Sequence, residues 1–487
     1  MFGAIIRVWA GVCLAIVFAQ SLPLFFALLV GDHASVLAFT LSMAVEVFFA
    51  VSILLAVSSH QVNPGSGEGI FFTALLFLTL PVLLGLPFIL GNFVGLAEGL
   101  FEGMSAATTS GASLLNFDKI PIAIKFWRAV ADWIGGTLFL LCAMVVIGPL
   151  RIGGLYVPRL TGAIGTGSIN AQTGTLAGMQ VQASLGRRFS QAAKFFLPVW
   201  GIVTVCCIFL LTISGASPLE AVLLGLTTIV TSGSFGYVIY NDLALTTEIV
   251  LAIPMLLGAI SFPLLWSLAT MSRPSRHARQ ECREFFLVLI AVVLTVFFAG
   301  HVAYQWDISG AWRAVLSGIN ILTSTGLPTE HLLTLPIIMV LTFATIGGCS
   351  LSTASGLKIF RFGILLRGIF EQIYIIVNPS AVHPVQYGKT LVDEGRMASI
   401  QLYFVMLVVV TFLGALGLAL SGLNAQNALL MAFAAVNGVL SVTLTPELVG
   451  LVNGSDGVMA VLSCVMLLGR IDLVLFIMLF SRSYWRS

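Results

Sequence analysis

The chain has 487 residues, of which 59% are hydrophobic and only 9% charged, a balance that excludes a soluble globular protein. A formal net charge of +2 implies no nucleic-acid partner. The cysteines (Cys13, Cys142, Cys206, Cys207, Cys282, Cys349, Cys464) are scattered through mostly apolar segments and show neither metal-ligand spacing nor a disulfide framework.

Residues 1–69 read as an N-terminal extension of two spans, 8–30 and 35–58, joined by Gly31-Asp32-His33. The first apolar run continues past Leu22-Pro23, so it is an uncleaved span rather than a signal peptide. Glu46 lies inside the second span. An intramembrane carboxylate is a functional hypothesis by default; the reading preferred is a carboxylate hydrogen-bonded to the neighbouring helix. Proline and glycine break the chain at 59–69.

From residue 70 one unit recurs four times: a span, a short apolar helix of about ten to fourteen residues that cannot cross a bilayer, a small-polar loop, and a second span. The repeats are placed at 70–150, 151–271 with a cytoplasmic loop, 272–357 with an interrupted last span, and 358–487. The short helices fall at 97–108, 218–230, 310–322 and 425–435, and the second spans at 127–150, 246–271, 334–350 and 457–481. This predicts an all-α polytopic membrane protein, with four helix–pore-loop–helix repeats around a central pore, ten full spans and four half-spans. With the N-terminus inside, most of the 22 basic residues fall on inner segments, against Lys119, Lys125, Arg128 and Arg313 outside. The positive-inside rule then places both termini in the cytoplasm and opens all four loops outward.

The loops are Thr109-Ser110-Gly111-Ala112, Thr231-Ser232-Gly233-Ser234, Ser324-Thr325-Gly326-Leu327 and the weaker Val436-Asn437-Gly438-Val439. Gly111, Gly233, Gly326 and Gly438 are read as one recurring place at the end of each short helix. Glycine takes backbone angles closed to other residues, so successive carbonyls can turn toward a dehydrated cation. The short helices would aim their negative ends at it. The alternative for any single copy is an ordinary helix-packing surface.

Four stretches carry a resemblance. They are the Thr-Thr-Ser-Gly-Ala-Ser loop at 108–113; Phe126-Trp127-Arg128 followed by Trp133-Ile134-Gly135-Gly136; Ile346-Gly347-Gly348-Cys349-Ser350-Leu351-Ser352-Thr353-Ala354-Ser355-Gly356-Leu357-Lys358; and Gly469-Arg470-Ile471-Asp472. The chain resembles the Trk/Ktr/HKT superfamily of cation transporters, and is most similar to its Trk-type potassium-uptake membrane subunits. The resemblance implies potassium as substrate, held at the filter carbonyls, and Gly111 in the first loop points the same way. The fourth loop departs from the family's Asn-Asn-x-Gly-Pro-Gly: either Gly438 takes the filter position or the register shifts and Leu440 does. It also implies an intramembrane gate at Gly347, Gly348, Cys349, Ser350, Ser352, Thr353, Ser355, Gly356 and Lys358, with Leu351 and Ser355 in place of the family's glycines, and Arg470 projecting into the pore. Physically, the three glycines of this stretch each cost a helix about 1 kcal/mol relative to alanine. A kinked packing helix, and an Arg470 paired with a carboxylate, are the plainer alternatives. The implied partners are membrane lipid, a second copy of the chain as a homodimer, and a cytosolic TrkA-like Rossmann-type regulator binding NAD or ATP. The chain itself has no nucleotide motif and no cofactor is expected. The implied location is the bacterial inner (plasma) membrane. The inner segments 151–192, 272–283 and 358–398 are basic loops that would meet anionic lipid or the regulator. A sodium- or proton-coupled symporter with broken helices is the alternative function. An enzyme is not expected, because H-E-x-x-H and paired-Asp motifs are missing.

Overall fold

Backbone in hydrocarbon must satisfy its hydrogen bonds internally, which leaves long apolar runs no choice but helix. The computed structural model describes residues 2–57, 68–147, 185–235, 243–271, 274–304, 311–329, 332, 335–378, 385–387 and 390–471, and they are almost entirely helical. The only strands among the described residues form a two-residue antiparallel ladder, Gln386–Tyr387 with Thr390–Leu391.

Helices α1 (Phe2–Val30) and α2 (His33–Val57) form the N-terminal pair, turning at Gly31 with φ 76°. Glu46 is buried and accepts hydrogen bonds from Gln20 Nε2 of α1 at 2.7 Å and Ser42 Oγ at 3.2 Å, as the preferred reading anticipated. Trp9 Nε1 donates to Thr79 Oγ1 at 2.7 Å and fastens the pair to the first repeat.

The first repeat comprises α3 (Glu68–Leu90), the short α4 (Leu96–Thr108) and α5 (Ile122–Cys142), which runs on through a π-turn at Ala143–Ile147. The second comprises α6 (Leu185–Ile213), the short α7 (Pro218–Ile229), α8 (Leu245–Ala259) and α9 (Phe262–Ala269). The third comprises α10 (Arg276–Tyr304), the short α11 (Ala311–Leu322), α12 (Ile337–Ile346) and α13 (Ile359–Val377). The fourth comprises α14 (Glu394–Leu420), the short α15 (Ala425–Val436), α16 (Pro446–Asn453) and α17 (Asp456–Arg470). Closure follows one rule: the helix after each loop packs on the short helix of the next repeat, α5 on α7, α8 on α11, α12 on α15, and α17 back on α4. This is the expected ring of four repeats.

Among the described residues, seven helices are long and apolar enough to cross a membrane unbroken, and nine spans result if each of two bent helix pairs counts as one, against the ten expected. The span expected at 246–271 is two helices bent by 108° at Ile260-Ser261. The span expected at 334–350 is helical only over Ile337–Ile346, and the last is described only to residue 471. The segment 358–398 is not a simple inner loop, because α13 occupies 19 residues of it. Likewise Arg276–Arg283 is the first part of α10 rather than a loop. Much of 151–192 lies outside the described residues.

Candidate functional site

The short helices end in one hydrogen-bond pattern. Thr109 N reaches Ala106 O at 3.2 Å and Ser110 N reaches Ser105 O at 3.1 Å. The same pair of bonds recurs from Thr231 to Thr228 and Ser232 to Thr227, from Ser324 to Ile321 and Thr325 to Asn320, and from Gly438 to Ala435 and Val439 to Ala434. This closure needs a left-handed residue just past the helix. Thr109, Thr231, Ser324 and Gly438 supply it, with φ of 53°, 55°, 51° and 69°. Gly438 is therefore the counterpart of Thr109, not of Gly111, which corrects the reading of four equivalent glycines. Counting two residues on, the counterpart of Gly111, Gly233 and Gly326 is Leu440. Three loops tolerate a threonine or serine where backbone strain costs about 1–3 kcal/mol; the fourth places glycine there and leaves the next position to a side chain.

The loops meet at that level. A Cβ at Gly111 would lie 2.7 Å from Gly233 N and 3.0 Å from Ser441 Oγ, and one at Gly326 would lie 2.9 Å from the same hydroxyl. A Cβ at Gly233 would overlap the Gly326 carbonyl. Ser441 Oγ donates to Gly326 O at 2.6 Å, so a side chain of the fourth loop occupies a carbonyl of the third. Ser441 was not singled out in the sequence; its signal is its place beside Leu440 in the shifted register. Asn437 sits one residue before the turn, its Nδ2 donating to Phe433 O at 2.8 Å. Val436 ends α15 under Gly469, where a Cβ would stand 2.7 Å from Val436 Cα.

Behind the loops runs a buried polar network. Arg128 Nε donates to Glu102 Oε2 at 2.8 Å, and its Nη1 pairs with Asp132 one helical turn on. Its Nη2 donates to Ser105 Oγ at 3.0 Å and to Ala112 O at 3.1 Å. Glu102 accepts from Ser113 Oγ at 2.9 Å and Leu114 N at 2.5 Å. Asp132 accepts from Ser232 Oγ at 3.1 Å and Ser234 Oγ at 2.6 Å. One triad thus fixes the first loop and ties it to the second. Arg128 is fully buried, so it is not the outer-face charge that the sequence count made it. The missed signal was Arg128 with Asp132 at i, i+4. In the third repeat Asn320 does a similar job on Leu327, donating to its carbonyl at 2.7 Å and accepting from its N–H at 2.9 Å.

Between α12 and α13 the segment Gly347–Lys358 is non-helical and docks on the broken end of α8. Cys349 N donates to Ala259 O at 2.9 Å, Thr353 N to Gly258 O at 3.0 Å, and Phe262 N to Leu351 O at 3.0 Å. The two interruptions thereby satisfy each other's freed backbone groups. Gly348 O accepts from Ile359 N at 3.0 Å and Ser352 Oγ bonds Cys349 O at 2.5 Å. Gly347 and Gly356 have φ of 73° and 83°, as glycines can, but Leu351 and Lys358 also take positive φ, 53° and 77°. Ser350 N donates to Glu281 Oε1 at 2.5 Å. Ser355 touches the loops directly: its N–H donates to Ser324 Oγ at 2.6 Å, and a Cβ at Gly438 would meet its side chain. Arg470 Nη1 donates to Thr353 O at 2.7 Å and Ser355 Oγ at 3.0 Å, and its guanidinium lies 4.0 Å from the Phe139 ring centre. Arg470 makes no ion pair with a carboxylate among the described residues; Asp472 lies outside them.

A ring of inward loops over a docked, non-helical segment defines a membrane transport protein rather than an enzyme. The chain is a relative of Trk-type potassium-uptake membrane subunits, as the resemblance implied, and the similarity runs its whole length. It is 25% identical to the Trk system potassium uptake protein TrkH of Vibrio parahaemolyticus, covering 100% of both chains. It is 26% identical to TrkI of Halomonas elongata, over 99% of this chain and 97% of that one. The crystal structure of the Vibrio parahaemolyticus potassium transporter TrkH superposes with a TM-score of 0.83 at 21% identity over 100% of each chain, which establishes the fold. No family model matches.

Proposed function

We propose that this multi-pass protein takes up potassium across the bacterial inner membrane, both termini inside, through the axis where Thr109–Ala112, Thr231–Ser234, Ser324–Leu327 and Val436–Ser441 meet. The observation that carries this reading is the convergence of Gly111, Gly233, Gly326 and Ser441 beneath the C-terminal ends of four short helices, whose dipoles favour a cation. The segment Gly347–Lys358 with Arg470 is the gate, since it lies directly against Ser324 and Gly438. The names of the relatives, each part of a Trk system, support a multi-component uptake system. A cytosolic NAD- or ATP-binding regulator and a homodimer complete the proposal. Rubidium flux into liposomes tests it: uptake without an imposed proton or sodium gradient supports the channel-like reading, and no rubidium uptake under any gradient overturns potassium transport. A coupled symporter is the second reading. It is favoured by the discontinuous helices, Leu245–Ala259 with Phe262–Ala269 bent by 108° among them, and a strict gradient requirement would select it.

Two substitutions probe the parts. Ser441→Ala frees the Gly326 carbonyl, and the rubidium-to-sodium preference is expected to change several-fold with stability nearly intact. An unchanged preference would remove Ser441 from the ion path. Arg470→Ala removes a positive charge and two bonds to the gate. Like charges about 4 Å apart repel by roughly 1 kcal/mol in water and about 4 kcal/mol at an effective dielectric near 20, so uptake is expected to rise several-fold. Reduced uptake by stable protein would count against Arg470 as a barrier.

A further inference from the structure

Helix α17 touches three parts of the site within about one turn. Met466 Sδ accepts a hydrogen bond from Ser110 Oγ of the first loop at 2.8 Å. Gly469 lies against the end of α15, where a Cβ would overlap the Val436 carbonyl. Arg470 holds Thr353 O and Ser355 Oγ of the gate segment. Positions 466, 469 and 470 are i, i+3 and i+4, so one helix face carries all three contacts. Met466 and Arg470 are both buried, and they stand about 6 Å apart along the axis at 1.5 Å per residue.

Ser110 has one hydroxyl proton and two acceptors within reach, Met466 Sδ and Ser105 Oγ, the latter at 3.2 Å. Ser105 belongs to the Arg128 network: it accepts from Nη2 at 3.0 Å and donates to Ala112 O at 2.5 Å. A thioether is a weak acceptor beside a hydroxyl, so the bond to sulfur holds only while α17 keeps the sulfur close. If α17 withdraws, the Ser110 hydroxyl turns to Ser105. We infer that Met466 is a specificity-determining positioning residue: it holds the Ser110 side chain toward α17, and through it the placement of the gate segment on Arg470 reaches the first loop. Ser110 directly precedes Gly111, so a turn of its side chain bears on the carbonyls that would replace an ion's water. The inference rests on the transport reading and names a residue that sets its selectivity.

Purified full-length protein in liposomes, given rubidium and sodium together, tests it. Met466→Leu removes the acceptor and nearly conserves volume, an exchange that cores tolerate well. The rubidium-to-sodium preference is expected to fall about two- to tenfold, the range one hydrogen bond spans, with the unfolding midpoint nearly unchanged. A packing role alone would move the midpoint and the uptake of both ions together. Ser110→Ala removes the donor of the same bond, and adding Met466→Leu to it should change the preference no further. Arg470→Ala releases the gate end of α17; its effect on the preference should appear with Met466 in place and vanish in the Met466→Leu background. Met466→Ile replaces Met466→Leu if the latter does not fold. Unaltered protein that takes up no rubidium, or shows no preference for it, overturns the proposed filter and this inference with it. Where the unaltered protein prefers rubidium, the inference alone is overturned if Met466→Leu keeps that preference, if its effect adds to that of Ser110→Ala, or if Arg470→Ala acts equally in both backgrounds.

Discussion

Arg128→Met is expected to cost about 3–5 kcal/mol of stability, the scale for breaking a buried ion pair by removing one partner. The substitution leaves Glu102 and Asp132 charged at positions with no solvent exposure, and it strips the Ala112 carbonyl and Ser105 hydroxyl of a donor. Yield and unfolding midpoint of the purified protein measure it. Adding Glu102→Gln should recover part of the loss, because the two changes act on one network and do not add. A loss below about 1 kcal/mol would show that the first loop holds its shape without the triad.

Gly111→Ser is expected to lower the rubidium-to-sodium preference by at least about tenfold, equivalent to roughly 1.4 kcal/mol. Gly111 has φ 69°, and a Cβ there would press on Gly233 N at 2.7 Å and Ser441 Oγ at 3.0 Å, so the first two loops must separate to admit it. Separation moves the very carbonyls that would replace an ion's water. Complementation of a potassium-uptake-deficient bacterium at graded potassium and sodium reads the outcome. Unchanged preference in an expressed, active variant would remove Gly111 from the filter.

What could be read from the residues was whatever has a local cause. The short helix at 218–230 was legible because Ser217, Pro218 and Glu220 build a capping box at its start and a small-polar patch stops it. The helix at 97–108 ended where Thr109 turns left-handed. The register of the fourth loop was not legible, because a glycine can serve either as the left-handed turn residue or two places further on. Only the bonds from Gly438 to Ala435 and Val439 to Ala434 decide between them. The bend after Ala259 was hidden because hydropathy carries no direction; Ser261-Phe262-Pro263 was its trace. Arg128 was miscounted because charge placement along a chain does not record depth, and the contact of the Gly347–Lys358 segment with α8 pairs segments about ninety residues apart.

The seam between α8 and the segment after α12 is made of main-chain bonds: Cys349 to Ala259, Thr353 to Gly258 and Phe262 to Leu351. Substitutions alter main-chain bonds little, so this joint can survive wide drift in side chains while staying hard to undo. Each bond is strong in an apolar medium, about 4–6 kcal/mol before water takes its place. Prising the seam apart therefore demands heat first and hydration second. Parting of this seam should show a large activation enthalpy, with a rate that climbs steeply on warming and nearly vanishes in the cold.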